Sequence, residues 1–109
     1  MNSRKRTIYL SGPMTGVPDY NYPAFRRAAA YLRGHGHEVY NPAEYPFSGP
    51  LDRFPVRQAF DAYCRFICRD ADTIALLPGW ETSKGAKAEL ALAEVCGLVV
   101  IILGEVMPQ

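Results

Sequence analysis

Leu76-Leu77-Pro78-Gly79-Trp80-Glu81-Thr82-Ser83-Lys84-Gly85-Ala86-Lys87-Ala88-Glu89 reads as a strand end, a turn and the first turn of a helix. Residues 73–77 form an apolar run of strand length, and Pro78-Gly79 halts it. Ser83 is a candidate cap for the alanine-rich helix predicted over 85–96. Gly79 and Gly85 let backbone approach a ligand closely. The free N–H groups behind Ser83 suit an anion, although capping alone is an equally good reading of that serine.

Strand and helix signals continue on either side, without an internal repeat. Residues 7–10 are β-branched and aromatic and stop at Ser11-Gly12-Pro13, giving a first strand. Asn21-Tyr22-Pro23 is a helix start with Asn as cap and Pro in the first turn. Phe25, Ala28, Ala29 and Leu32 then keep helical spacing, with Arg26, Arg27 and Arg33 on the wet side, until Gly34 and Gly36. A second strand over 38–40 ends at Asn41-Pro42, and a helix over 55–69 carries Val56, Phe60, Tyr63, Cys64 and Ile67 on one stripe. The fourth strand, 98–103, is apolar throughout, as expected of a parallel strand covered on both faces. Between them, residues 42–55 hold four prolines and little periodicity, the mark of a functional or interface loop.

The resulting order, βαβαβαβ, predicts an α/β chain: one flavodoxin-like domain over 1–109 with a flexible N-terminus over 1–6. Right-handed crossovers give a parallel sheet, expected in the order 2-1-3-4, with helices on both faces. Ligands of such sheets bind beyond the carboxyl ends of the strands, at the switch between strands 1 and 3. That rule selects residues 11–21 and 78–85. The candidate ligand-contacting residues are therefore Ser11, Gly12, Met14 and Gly16 from the first loop and Gly79, Trp80, Ser83 and Gly85 from the second.

Composition narrows the function. The net charge of +1 supplies no field for a long polyanion, so nucleic acid is not an expected partner; Arg4, Lys5 and Arg6 read as solvated terminal charges. No apolar run is long enough to span a membrane, and the N-terminus lacks a signal-peptide core, which points to the cytoplasm. Cys64, Cys68 and Cys96 follow no zinc spacing and read as buried free thiols. His35 and His37 flank a glycine at a turn and read as solvent-facing. Neither a metal nor an organic cofactor is expected, and the first loop has neither a dinucleotide fingerprint nor a Walker lysine.

Glu89 lies about one turn into its helix among Ala86, Ala88, Leu90, Ala91, Leu92 and Ala93. Periodicity alone favours the solvent stripe; the alternative is a carboxylate held in a pocket. Glu94 reads as a surface acid. Tyr9 is either a core tyrosine or one that projects its hydroxyl into the crevice. Trp80 on its loop either stacks on a base or packs on the proline-rich segment.

Three segments, Ile8-Tyr9-Leu10-Ser11-Gly12-Pro13-Met14-Thr15-Gly16, Asn21-Tyr22-Pro23-Ala24-Phe25 and residues 76–89, together resemble the nucleoside 2-deoxyribosyltransferase-like family. Within it the chain is most similar to a small, often phage-borne branch of unassigned function, over about residues 7–103. The wider family contains deoxyribosyltransferases and nucleoside 5′-monophosphate N-glycosidases. In both, a helix-borne glutamate attacks the anomeric carbon and a glycosyl-enzyme intermediate is released by water or a new base. By this resemblance Glu89 is the nucleophile and Tyr9 the tyrosine that orients it. Ser83 matches the serine that binds phosphate in the monophosphate glycosidases; transferases of free nucleosides tend to carry an acid there. One departure stands out. The family commonly places an Asp eight residues before the Asp that opens strand 3, and here that position is Cys64. A thiol does not replace a carboxylate that binds sugar or assists base protonation. Asp61, one turn earlier, is the candidate substitute.

The resemblance thus implies an N-glycosidase or 2-deoxyribosyltransferase acting on a (deoxy)nucleoside 5′-monophosphate. A non-catalytic nucleotide-binding or sequestering module is the alternative, and an interaction scaffold, without a pocket lined by Glu89 and Trp80, a third. Small relatives complete their sites across a dimer. A homodimer or higher homo-oligomer is expected accordingly, with Tyr45 and Phe47 of the proline-rich loop as lid or interface.

Overall fold

Four short β-branched runs and three amphipathic helices alternate along the chain, and each apolar face must be buried against another. The computed structural model describes residues 5–104. The elements are β1 (Thr7–Ser11), α1 (Tyr22–Gly34), β2 (Glu38–Tyr40), α2 (Val56–Arg69), β3 (Thr73–Leu76), α3 (Lys84–Val95) and β4 (Val99–Ile102). All strands are parallel, in the order β2-β1-β3-β4. This is the single α/β domain with the flavodoxin-like order read from the sequence. Element ends differ from the sequence reading by a residue or so: Ser11 joins β1, α3 starts at Lys84, and β3 and β4 stop at Leu76 and Ile102.

Successive side chains of a strand face opposite ways, so β1 divides the core. Ile8 and Leu10 pack with Phe25, Ala28, Ala29 and Leu32 of α1. Tyr9 packs on the opposite face with Ala59, Tyr63 and Ile67 of α2 and Ala93 of α3. The chain is anchored at the start of β1, where Asp72 accepts from the Thr7 N–H at 3.2 Å and His37 Nδ1 accepts from the Arg6 N–H at 3.1 Å. Arg4, the first of the basic cluster, lies outside the described residues.

Three sequence expectations are corrected. β4 is not covered on both faces: Val99, Val100 and Ile102 are 47%, 39% and 66% exposed. β4 is the edge strand of the order read from the sequence, and its apolar run does not reveal how little the helices cover it. Asn21 does not cap α1 with its side chain. It sits in the left-handed region at φ 61°, and its Nδ2 donates to the Pro13 carbonyl at 3.0 Å. Finally, the cysteines are free but not buried. Cys68 and Cys96 are exposed and Cys64 is half-buried, because Cys68 leaves the α2 stripe and Cys96 ends α3 in solvent. No helix among the described residues is long and apolar enough to cross a membrane.

The closest approach in the frame is at Gly12, directly after β1. Leu77 donates its N–H to the Ser11 carbonyl at 2.8 Å, and a Cβ on Gly12 would lie 2.8 Å from the Leu77 Cβ. Leu77 is 2% exposed and has nowhere to move. Gly12→Val is therefore expected to destabilise the fold by about 1–3 kcal/mol through overpacking. A lower urea midpoint with an unchanged m-value is the expected reading, and an unchanged midpoint would contradict the packing.

Candidate functional site

The carboxyl ends of β1 and β3 meet the start of α3, and a cavity of about 520 Å³ opens there. This is within the usual range for small-molecule sites. Three structural features build it.

The first is a buried carboxylate. Tyr9 and Ser11 are two apart on β1 and so share the face covered by α2 and α3. On α3 the buried positions are Ala86, Glu89 and Ala93, and Glu89 is thus carried on the core stripe over β1. It is 6% exposed, which corrects the solvent-facing reading from periodicity. The helix is small and apolar on nearly every side, so its sequence marks no unique buried stripe. Both hydroxyls point at the acid: Ser11 Oγ donates to Oε1 at 2.6 Å and Tyr9 Oη donates to Oε2 at 2.8 Å. Burial pushes the Glu89 carboxyl up from 4.5 to about 7, and the bonds from Ser11 and Tyr9 pull against that rise. Burial and the Glu89 charge push the Tyr9 phenol well up, so it remains a proton-bearing donor.

The second is the N-terminus of α3. Ser83 caps the helix, its Oγ accepting from the Ala86 N–H at 3.1 Å. Ser83, Lys84 and Gly85 line this end of the cavity. First-turn N–H groups have no helical carbonyl to reach, and the helix dipole favours negative charge there.

The third is an aromatic wall. Phe60 and Tyr63 come from α2, Phe54 from the proline-rich loop and Tyr20 from the loop after β1. Tyr20 is held by three consecutive left-handed residues, Asp19, Tyr20 and Asn21, with φ of 56°, 53° and 61°. Such a conformation costs roughly 1–2 kcal/mol per L-residue, and it sets the Tyr20 ring edge-on to Phe54 at 5.6 Å between centroids. Tyr45 and Phe47 pack edge-on against Phe54 from behind, at 5.8 and 5.4 Å.

Of the residues singled out from sequence, Tyr9, Ser11, Gly12, Met14, Gly16, Ser83, Gly85 and Glu89 come together around the cavity. Others do not line it. Trp80 is half-buried against the α2–α3 side of the core, Gly79 turns at φ 89° with its α-carbon facing Pro13, and Asp61 is exposed and paired with Arg65 at 3.0 Å. Cys64 is also off the wall, and burial and the Glu89 charge push its thiol up. Sequence reading missed Tyr20, Phe54 and Lys84, and it took Phe60 and Tyr63 only as a helix stripe. Among the described residues no three His, Cys, Asp or Glu side chains gather as a metal site would require.

No curated protein matches this sequence. Residues 6–102, from the last residue before β1 to the end of β4, match the model of a family described as a domain of unknown function, DUF4406, and the chain belongs to that family.

Proposed function

We propose that the protein is an N-glycosidase or 2-deoxyribosyltransferase of (deoxy)nucleoside 5′-monophosphates, with Glu89 as nucleophile. The observation that carries this reading is a buried carboxylate, held by two hydroxyl donors, facing a nucleotide-sized cavity that ends at a helix N-terminus. A glycosidic carbon passes through an oxocarbenium-like state, which an adjacent anion stabilises and then traps. Glu89 Oε attacks C1′ while the C1′–N bond breaks toward the base, leaving a glycosyl ester. Water or a second base then takes C1′ and returns the carboxylate. Tyr9 and Ser11 fix the acid and keep its ionised form accessible. Ser83, Lys84 and Gly85 are the proposed phosphate contacts.

The chain is proposed to act in the cytoplasm as a homodimer or higher homo-oligomer; the exposed apolar residues Val95, Val99 and Ile102 supply a candidate contact surface. Chromatography of nucleotide incubations tests the activity through the appearance of free base. A second reading, a binding module without turnover, draws on the thiol at Cys64 and on Asp61 facing away from the cavity. Saturable binding with no product would establish it instead.

The phosphate assignment has its own test. Asp is as good an N-cap as Ser, so Ser83→Asp is expected to keep the fold while placing an anion at the proposed phosphate site. The KM for 5′-monophosphates should rise by roughly tenfold or more, since like charges about 4 Å apart near a protein surface repel by about 4 kcal/mol before screening. The KM for the matching free nucleosides should change little. Equal effects on both substrates would remove the phosphate from this end of the cavity.

A further inference from the structure

We infer that the leaving group is a ring already bearing positive charge: the substrate class is a cationic N-glycoside 5′-monophosphate, such as a pyridinium nucleotide or an N7-alkylated purine nucleotide. This inference rests on the glycosyl-transfer reading above and specifies what departs. When a neutral purine or pyrimidine leaves C1′, the bonding pair becomes a negative charge on the base, and an acid must deliver a proton. Among the described residues lining the cavity, Glu89 is the one carboxyl group, and it cannot be nucleophile and acid in the same step. The Tyr9 and Ser11 protons are directed at Glu89 itself. The Tyr20 ring is held edge-on to Phe54, and the Tyr63 hydroxyl donates toward the Pro42 carbonyl while burial raises its phenol, making it a poorer acid than free tyrosine. Lys84 begins α3, five residues and about 7.5 Å of helix rise from Glu89, at the anion-favouring end. Asp61 faces solvent with its partner Arg65.

A cationic ring needs no such acid. Glu89 Oε forms a bond to C1′, the C1′–N bond breaks, and its electron pair neutralises the ring nitrogen, so the base departs uncharged. Water then attacks C1′, the ester C1′–O bond returns its pair to Glu89, and the water's proton goes to solvent. The rest of the cavity fits the same charge pattern. Tyr20, Phe54, Phe60 and Tyr63 line the cavity, and aromatic rings attract a cation placed over their faces. Glu89 supplies the counter-charge, and the start of α3 receives the phosphate. A cation beside Glu89 also favours its ionised form, so substrate arrival itself produces the nucleophile.

The experiment compares leaving groups on ribose 5′-phosphate, with one 2′-deoxy nucleotide added to test base release from deoxyribose. Nicotinamide mononucleotide is set against adenosine 5′-monophosphate and its 2′-deoxy form, and 7-methylguanosine 5′-monophosphate against guanosine 5′-monophosphate. Release of free base is followed by chromatography and corrected for the uncatalysed rate. The cationic member of each set is expected to show kcat/KM at least 100-fold higher, and Glu89→Gln is expected to stop release in both. A ratio of ten or less, or cleavage of the neutral nucleotides alone, overturns the leaving-group inference and leaves Glu89 chemistry standing. No base from any of these nucleotides with the unaltered protein discards the glycosyl-transfer reading as well.

Discussion

Glu89→Gln is expected to lose roughly 10³-fold or more in turnover, as removal of a nucleophile does, and yet to be the more stable protein at pH 8. The first half follows from chemistry, since an amide oxygen neither traps C1′ as a stable ester nor balances the oxocarbenium charge. The second half follows from proton linkage. The folded protein holds the Glu89 proton up to about pH 7, whereas a free carboxyl of this type gives it up near 4.5. Between those values the folded state binds more protons than the unfolded one, so stability falls as pH rises through that window and is flat above it. A shift of this size corresponds to about 3 kcal/mol of ionisation cost, present in full at pH 8 and absent below pH 4. Glutamine carries no charge at either pH. Its carbonyl can accept from one of the two hydroxyls while its NH2 donates to the other, so the buried contacts survive in altered form.

Urea unfolding at pH 5 and pH 8 reads both effects. The unaltered protein should lose stability between the two values, and Glu89→Gln should lose much less. Catalysis should run the other way, with kcat/KM of the unaltered protein rising through about pH 7 to a plateau as the nucleophile ionises. A variant less stable than the unaltered protein at pH 8, with the same dependence on pH, would falsify the placement of a buried charge at Glu89.

That charge was also the hardest feature to read from sequence. The sheet order was legible because β-branched runs, turn residues and helical stripes alternate cleanly, and right-handed crossovers leave few topologies. Ser83 was legible as a cap because a serine hydroxyl before a helix accepts readily from a first-turn N–H, and the structure shows that hydrogen bond. The resemblance singled out Glu89, but periodicity did not show its burial, because a helix of alanines and leucines offers several possible buried stripes. Only the sheet beneath it, with hydroxyls at Tyr9 and Ser11, selects one of them. Tyr20 was hidden for a different reason. Its orientation depends on three left-handed residues in a row, and of Asp-Tyr-Asn only the Asp and Asn are tolerant of that conformation. Phe54 lies in a proline-rich segment with no period, so its contacts come from tertiary structure alone. The expected strand order already places β4 at the edge, but a run of valines and isoleucines does not encode how far the helices cover its faces.

The double variant Tyr9→Phe/Ser11→Ala is expected to move the acid limb of the pH–rate profile upward rather than simply lower the rate. Both hydroxyls donate to the carboxylate, and both lower its pKa against the opposing effect of burial. A hydrogen bond to a charged group contributes about 1.5–3 kcal/mol, so loss of each should raise the midpoint by about one unit or more. At pH 7 the carboxyl would then be mostly protonated, and activity should fall by roughly 10- to 100-fold from ionisation alone. At pH 9 much of that loss should return, because the nucleophile itself is intact. The phenyl ring of the variant keeps the stacking that Tyr9 makes with Tyr40, at 5.6 Å between centroids, so the core around β1 has little reason to rearrange. The single variants should fall between the two profiles. A purely structural role for Tyr9 and Ser11 predicts a different result: a uniform drop at every pH with the midpoint still near 7. That outcome would mean the two hydroxyls hold the fold together but do not govern the charge on Glu89.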